Sequence, residues 1–258
     1  MREGHGPLEV VRQAAAAGVQ DVIVGVSGGQ DSVACLDLCV QTFATVRPYF
    51  LYIVEGISFQ EQYLQFLERR FRLPIARLPH WHLTNMLRQG ALRHETKAAT
   101  SVRRCRNHHF TAYLRKKLGA HWIATGEKAA DSLERNAQMT RDGAVQPARG
   151  RLFPLAWWSS SDVQSHLARN KLPLPPDYRL GDSCPEVLRR RRGSSFGGLI
   201  VMREILKIAE CFPADYERIR RVFPLADVQL QRWKQLQERE SERNSNEKTS
   251  LPIRESDR

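Results

Sequence analysis

Apolar positions along the chain change period repeatedly, and each change marks an element. Leu8, Val10, Val11 and Ala14 to Ala17 recur at helical spacing, so residues 7–18 read as an amphipathic helix. Asp21-Val22-Ile23-Val24-Gly25-Val26 follows, a β-branched run suited to a parallel strand covered on both faces. Ser27-Gly28-Gly29-Gln30-Asp31-Ser32 breaks that run, and residues 33–43 resume helical spacing. The alternation repeats with a strand over 49–54, a helix over 59–71 and a short strand over 75–78. A helix over 110–118, closed by Gly119 as its C-cap, leads to a strand over 121–126. Strands alternating with helices predict an α/β fold, a doubly wound and mostly parallel sheet with right-handed crossovers. Sheets of this kind bind ligands beyond the carboxyl ends of their strands, where both glycine-bearing segments, 27–32 and 125–131, fall.

Beyond residue 150 the pattern changes. Ser160-Ser161-Asp162 supplies an N-cap cluster for a short helix over 163–169. A proline-rich stretch, 173–178, and an arginine run, Arg189 to Arg192, come next. Three regions are expected: a nucleotide-handling domain over 1–185, a basic helical C-terminal extension over 186–235 and a disordered tail over 236–258. With 258 residues and 41% apolar content the chain can build a core. It lacks the roughly 20-residue apolar run of a membrane span, and its first residues lack the apolar run expected of a secretory signal.

Charge and cysteine use narrow the reading further. The net charge is +12, and from Lys234 onward basic and acidic residues balance at six each, so the whole excess lies on the preceding body. A basic body points to a polyanionic partner or a phosphate-rich substrate. Five cysteines without a CxxC pair argue against a disulfide framework or a self-contained zinc module and for a reducing, cytoplasmic setting with no membrane association. The histidine pairs His80/His82 and His108-His109 lack Cys or carboxylate partners at metal spacing and read as surface or substrate contacts.

The 27–32 segment carries the chemistry. Two adjacent glycines let consecutive N–H groups turn inward as an anion nest, and the following helix aims its positive end at the same point. Ser27 and Ser32 add hydroxyls. The segment is not a Walker A loop, since no GxxxxGK[ST] occurs in the chain.

SGGQDS between a strand and a helix resembles the SGGxDS signature of the PP-loop, or N-type, ATP pyrophosphatase superfamily. Within it, three segments resemble the phosphoadenylyl-sulfate (PAPS) reductase-like family. They are Thr125 to Arg135, Phe153-Pro154-Leu155 through Leu172-Pro173-Leu174-Pro175, and Tyr178, Gly181, Ser183 and Cys184. The resemblance implies a Rossmann-like fold of the adenine nucleotide alpha hydrolase type. It also implies ATP as cofactor, cleaved between its α- and β-phosphates. Ser27, Gly28, Gly29, Gln30 and Ser32 would hold the outer phosphates. Asp31 would bind Mg²⁺, cap the following helix, or both. Val26 and the 52–55 strand end would flank adenine and ribose. On the second loop Gly126, Glu127, Lys128 and Arg135 would line the nucleotide, with Asp131 serving metal or α-phosphate geometry and Lys128 and Arg135 as counter-charges; a solvated charged loop is the other reading of Asp131, Lys128 and Arg135.

The chain departs from reductases proper, whose phosphate loop is commonly degraded and whose nucleophile sits in a C-terminal E-C-G-x-H motif. Here the loop is intact and no cysteine follows Cys211. The expected activity is therefore ATP-dependent adenylylation of an acceptor for sulfur incorporation into nucleic acid, DNA phosphorothioation or tRNA thiolation, with a cysteine desulfurase or another sulfur donor as partner and a homodimer as a candidate assembly. Cys105, set between Arg104 and Arg106, and Cys184 are candidate sulfur carriers or idle thiols. Two alternatives stay open. One is a small-molecule adenylyltransferase resembling the sulfate adenylyltransferase small subunit or FAD synthetase, and the other a non-catalytic nucleotide sensor.

Overall fold

The computed structural model describes residues 8–90, 92, 94, 96–175 and 202–249. Strands β1 (Asp21–Gly25), β2 (Thr45–Tyr52), β3 (Ala76–Pro79), β4 (Trp122–Ala124), β5 (Val145–Gln146) and β6 (Arg151–Leu152) form one sheet in the order β3-β2-β1-β4-β6-β5. All neighbours run parallel except β5 and β6. The helices are α1 (Glu9–Ala16), α2 (Gln30–Thr42), α3 (Ser58–Phe71), α4 (Trp81–Arg88), α5 (Lys97–Ser101) and α6 (Asn107–Leu118). They continue as α7 (Leu133–Asp142), α8 (Ser160–Arg169), α9 (Met202–Cys211), α10 (Pro213–Val222) and α11 (Ala226–Thr249).

β1 explains the two-sided architecture. Val22 and Val24 pack into one core with α1, α2 and α8, while Ile23 points the opposite way and packs with Phe110 and Leu114 of α6. All three are fully buried, as a β-branched run without polar alternation requires. α8 opens on a reciprocal cap, Ser159 N–H donating to Asp162 Oδ2 at 2.8 Å and Asp162 N–H donating to Ser159 Oγ at 3.2 Å. It is pinned to α2 by a buried pair, His166 Nε2 to Asp37 Oδ2 at 2.7 Å.

Several elements differ from the sequence pattern. β2 begins at Thr45, four residues before the predicted strand, because Pro48 hides its start. Pairing with β3 opens only at Tyr49, so Pro48 has β1 alone beside it, and its missing N–H removes no bond from the β3 ladder. α4 and α5, which the pattern does not predict, fill the crossover between β3 and α6. β5 and β6 are two-residue strands, too short to show a period. α11 continues to Thr249, so 236–249 is helical where a disordered tail is predicted.

The C-terminal helices do not stand apart. Ile205, Ile208, Tyr216, Ile219 and Phe223 share a core with Ile53, Val54, Ile57, Phe59 and Met86 at the carboxyl edge of the sheet. α3 has no cap of its own; the buried Asp215 of α10 accepts from Ser58 N–H at 2.8 Å and from Ser58 Oγ at 2.6 Å. The predicted boundary at 185/186, the arginine run and Cys184 lie outside the described residues. Among the described residues, no helix is long and apolar enough to cross a membrane.

Candidate active site

β2 and β3 lie to one side of β1 and β4 to the other, so the chain reverses its winding between β1 and β4. The loops leaving these two strands diverge there and open a crevice. A cavity of about 510 Å³ occupies it, within the range of small-molecule sites. Val26, Ser27, Asp31 and Ser32 line it from the first loop, and Thr125, Gly126, Glu127, Asp131 and Arg135 from the second. Tyr49 to Val54, Ile57, Gln60 and His80 complete its wall.

The first loop is braced internally. Ser32 Oγ donates to Gly29 C=O at 2.8 Å and accepts from Ser27 N–H at 3.1 Å, and Gly28 takes φ +83°, a conformation that favours glycine. No side chain caps α2, whose N-cap is Gly29. Its first N–H groups are therefore presented as an anion site with the positive end of the helix dipole behind them. Gln30, in the first turn, is buried, and its Nε2 finds no acceptor. Gly28 also lines a small neighbouring cavity beside Tyr63 and Pro175.

The second loop is locked onto the first by backbone proximity and by charge. A Cβ at Gly126 would stand 2.6 Å from the Asp31 carbonyl oxygen, so only glycine allows this approach. Lys128 is 2% exposed, and its Nζ lies 2.6 Å from Asp31 Oδ2 and 3.1 Å from Asp131 Oδ1. Asp131 Oδ2 also accepts from Lys128 N–H at 2.9 Å and pairs with Arg135 at 3.0 Å. Burial alone would raise the Asp131 carboxyl; the hydrogen bonds from Lys128 and the charges of Lys128 and Arg135 outweigh it and hold the pKa below the usual value. Arg135 reaches Glu127 at 3.5 Å as well. The buried Tyr49 phenol, opposite Gly25, is pushed up to about 12 by burial and remains protonated.

The donor set can be tested for Mg²⁺. Asp31 Oδ1 is buried without a hydrogen-bond partner while Oδ2 faces Lys128, whereas both oxygens of Asp131 are engaged by Lys128 and Arg135. No group of three or more His, Cys, Asp or Glu capable of holding a metal occurs among the described residues. One free carboxylate oxygen beside a phosphate site fits Mg²⁺, which takes one or two carboxylates and completes its shell with phosphate and water.

The predicted residues divide accordingly. The two loops converge as described, with Lys128 beneath the cavity rather than on its surface. Cys105 does not line the cavity. It is half-buried beside Trp81 in the core under α6, its N–H donating to Thr84 Oγ1 at 3.3 Å. His80, which the sequence leaves as a surface or substrate contact, lies in the cavity wall; it directly follows β3 and so falls at the carboxyl edge of the sheet. Ile57 and Gln60, at the start of α3, are wall residues that the sequence pattern does not single out.

The model of the phosphoadenosine phosphosulfate reductase domain matches residues 21–219, more than half of the chain and nearly all of the architecture above. The chain belongs to that family. Members of the PAPS reductase domain family are enzymes that act on adenylyl nucleotides. Similar solved structures include phosphoadenylyl-sulfate (PAPS) reductase from Candida auris in a phosphate complex, at 15% identity and TM-score 0.45 over 69% of this chain and 86% of that one. An NH3-dependent NAD synthetase from Campylobacter jejuni in complex with the nitrate ion matches at 10% and 0.42 over 88% and 91%. A glutamine-dependent NAD+ synthetase from Acinetobacter baumannii in complex with ADP matches at 18% and 0.42 over 86% of this chain and 43% of that one. No curated protein matches the sequence.

Proposed function

We propose that this family member splits ATP between the α- and β-phosphates and hands AMP to an acceptor on nucleic acid, DNA or tRNA, activating it for sulfur insertion with a cysteine desulfurase as donor. The observation that carries the reading is the buried Lys128 ammonium between Asp31 and Asp131. It ties an intact, uncapped phosphate loop to the second loop across the crevice.

In this reading the N–H groups of 28–32 hold the outer phosphates. Asp31 Oδ1 would hold Mg²⁺, and the ion when bound would supply positive charge beside the outer phosphates. Asp131 positions Lys128, and Arg135 adds positive charge at the rim. The acceptor oxygen or anion bonds to the α-phosphorus as the bond from that phosphorus to its bridging oxygen breaks, and pyrophosphate leaves with the electron pair.

The nucleic-acid part rests on residues 96–126, which contain seven Lys or Arg and no Asp or Glu. Arg103, Arg104, Arg106, Lys116 and Lys117 are exposed there. A small-molecule acceptor leaves this segment without a role. The test is incubation with ATP labelled at the α- and γ-phosphates, with and without DNA or tRNA. AMP and pyrophosphate are expected, with release stimulated by the nucleic acid; ADP and phosphate, or no turnover, would exclude the reading.

A further inference from the structure

The cavity has two chemically different ends. Its charged lining residues, Asp31, Glu127, Asp131 and Arg135, all belong to the loops after β1 and β4. The end over β2 and β3 is walled by Phe50, Ile53, Val54 and Ile57, all buried, and carries His80. β3 lies two strand spacings from β1, about 10 Å. That is comparable to the reach from the outer phosphates of a nucleotide to its base.

His80 is 9% exposed. Its Nδ1 accepts from the His82 N–H at 3.0 Å, capping α4, so the proton of the neutral ring sits on Nε2. No protein acceptor meets that N–H among the described residues, and Nε2 is not among the sealed, unpaired polar atoms. It is a donor held in place on one side, on a side chain that lines the cavity. A neutral donor on an apolar wall does not favour phosphate, whose charge asks for cations or a helix N-terminus. It suits a flat heterocycle with an in-plane ring nitrogen or carbonyl.

We propose that His80 reads a nucleobase, donating from Nε2 to an acceptor atom on the ring edge while Ile53, Val54 and Ile57 cover the ring. The proposal rests on the cavity being a nucleotide site and adds the residue that senses the base. The base belongs either to ATP or to the acceptor nucleic acid, and the test separates these sources.

The test is calorimetric titration of the full chain with MgATP, with tripolyphosphate and with a short single-stranded oligonucleotide in the presence of tripolyphosphate. His80→Phe keeps a ring without a donor. His80→Asn keeps the α4 cap but is too short to present the Nε2 donor. Loss of one neutral hydrogen bond predicts binding weakened up to about tenfold in both variants, for MgATP if the base is that of ATP and for the oligonucleotide if it is the acceptor's. Tripolyphosphate binding should stay at the wild-type level. Wild-type affinity of both variants for both base-bearing ligands overturns the proposal and leaves the phosphate site standing. Failure of the wild-type protein to bind MgATP or tripolyphosphate removes the nucleotide reading, and this inference with it.

Discussion

The Lys128 ammonium stands 2.6 Å from the Asp31 carboxylate, joining residues that leave different strands at the point where the sheet reverses its winding. Since Lys128 is almost fully buried, the pair is stable only while the charges remain complete. Lys128→Met removes the cation and leaves Asp31 and Asp131 without it. The expected loss is about 3–5 kcal/mol in urea unfolding, partly recovered in the Lys128→Met, Asp131→Asn double variant. Pyrophosphate release should fall about a hundredfold or more in the single variant. Unchanged stability in both would show that the ammonium does not clamp the loops.

Gly126 makes a second, steric link between the same loops. A methyl group there meets the Asp31 carbonyl oxygen and, at 3.0 Å, the Ser32 nitrogen, backbone atoms that cannot rotate aside. Gly126→Ala should force the loops apart at about 1–3 kcal/mol and raise the Kd for MgATP about tenfold. Gly119→Ala is the control. It strains a left-handed C-cap at φ +67° but meets open space, so it should lower stability and leave ATP affinity unchanged.

The parts of the site that the sequence makes legible are those written in backbone chemistry. Adjacent glycines after a β-branched strand announce a phosphate loop, and the glycine ending β4 announces its partner across the crevice. Features that depend on burial are not legible. Lys128 reads from the sequence as a nucleotide contact or a solvated countercharge, and only the fold shows it buried between two carboxylates. His80 reads as a surface or a substrate contact alike until β3 is placed beside β2. The two-residue strands β5 and β6 carry no period at all, and the Asp215 cap on α3 joins residues 157 positions apart, beyond any local pattern.

His80 also gives the protein a predictable acid sensitivity. Burial, and secondarily the nearby His82, lower its pKa to about 4 from the ordinary 6.5. Between those values the unfolded chain takes up a proton that the native state refuses. This contribution to stability is therefore complete above pH 6.5 and is lost as pH falls toward 4. The loss amounts to about 3 kcal/mol at most. Urea unfolding at pH 4.5 and 7 should show a smaller drop for His80→Asn than for the wild-type protein; equal drops would mean that the imidazole titrates normally.

Asp215 links the C-terminal helices to the cavity wall. Its carboxylate caps α3 next to Ile57, which faces the cavity. Asp215→Ala leaves the Ser58 N–H without its cap and should cost about 1–3 kcal/mol. Asp215→Asn, which keeps an acceptor, should cost less. A Tm lowered by about 5 °C in the alanine variant is the expected reading in a thermal melt. An unshifted Tm would show that α3 starts equally well without α10.

The acid-free segment makes a quantitative prediction about nucleic acid. A crossover helix starts at the carboxyl edge of a parallel sheet, so Arg103, Arg104 and Arg106, just before α6, lie on the same edge as the cavity. Their backbone is fastened to α4, with Arg88 donating to the carbonyls of Thr100 and Val102 at 2.6 Å and Thr84 Oγ1 accepting from Cys105 N–H. The three arginines are exposed and have no ion-pair partner among the described residues, so they are available to phosphates. Exchanging all three for alanine should flatten the slope of log K against log salt by about 2 to 3, one ion release per lost phosphate contact, for DNA or tRNA in filter-retention assays. MgATP affinity should not change, because none of the three lines the cavity. A slope identical to that of the wild-type protein would place the nucleic acid elsewhere on the surface.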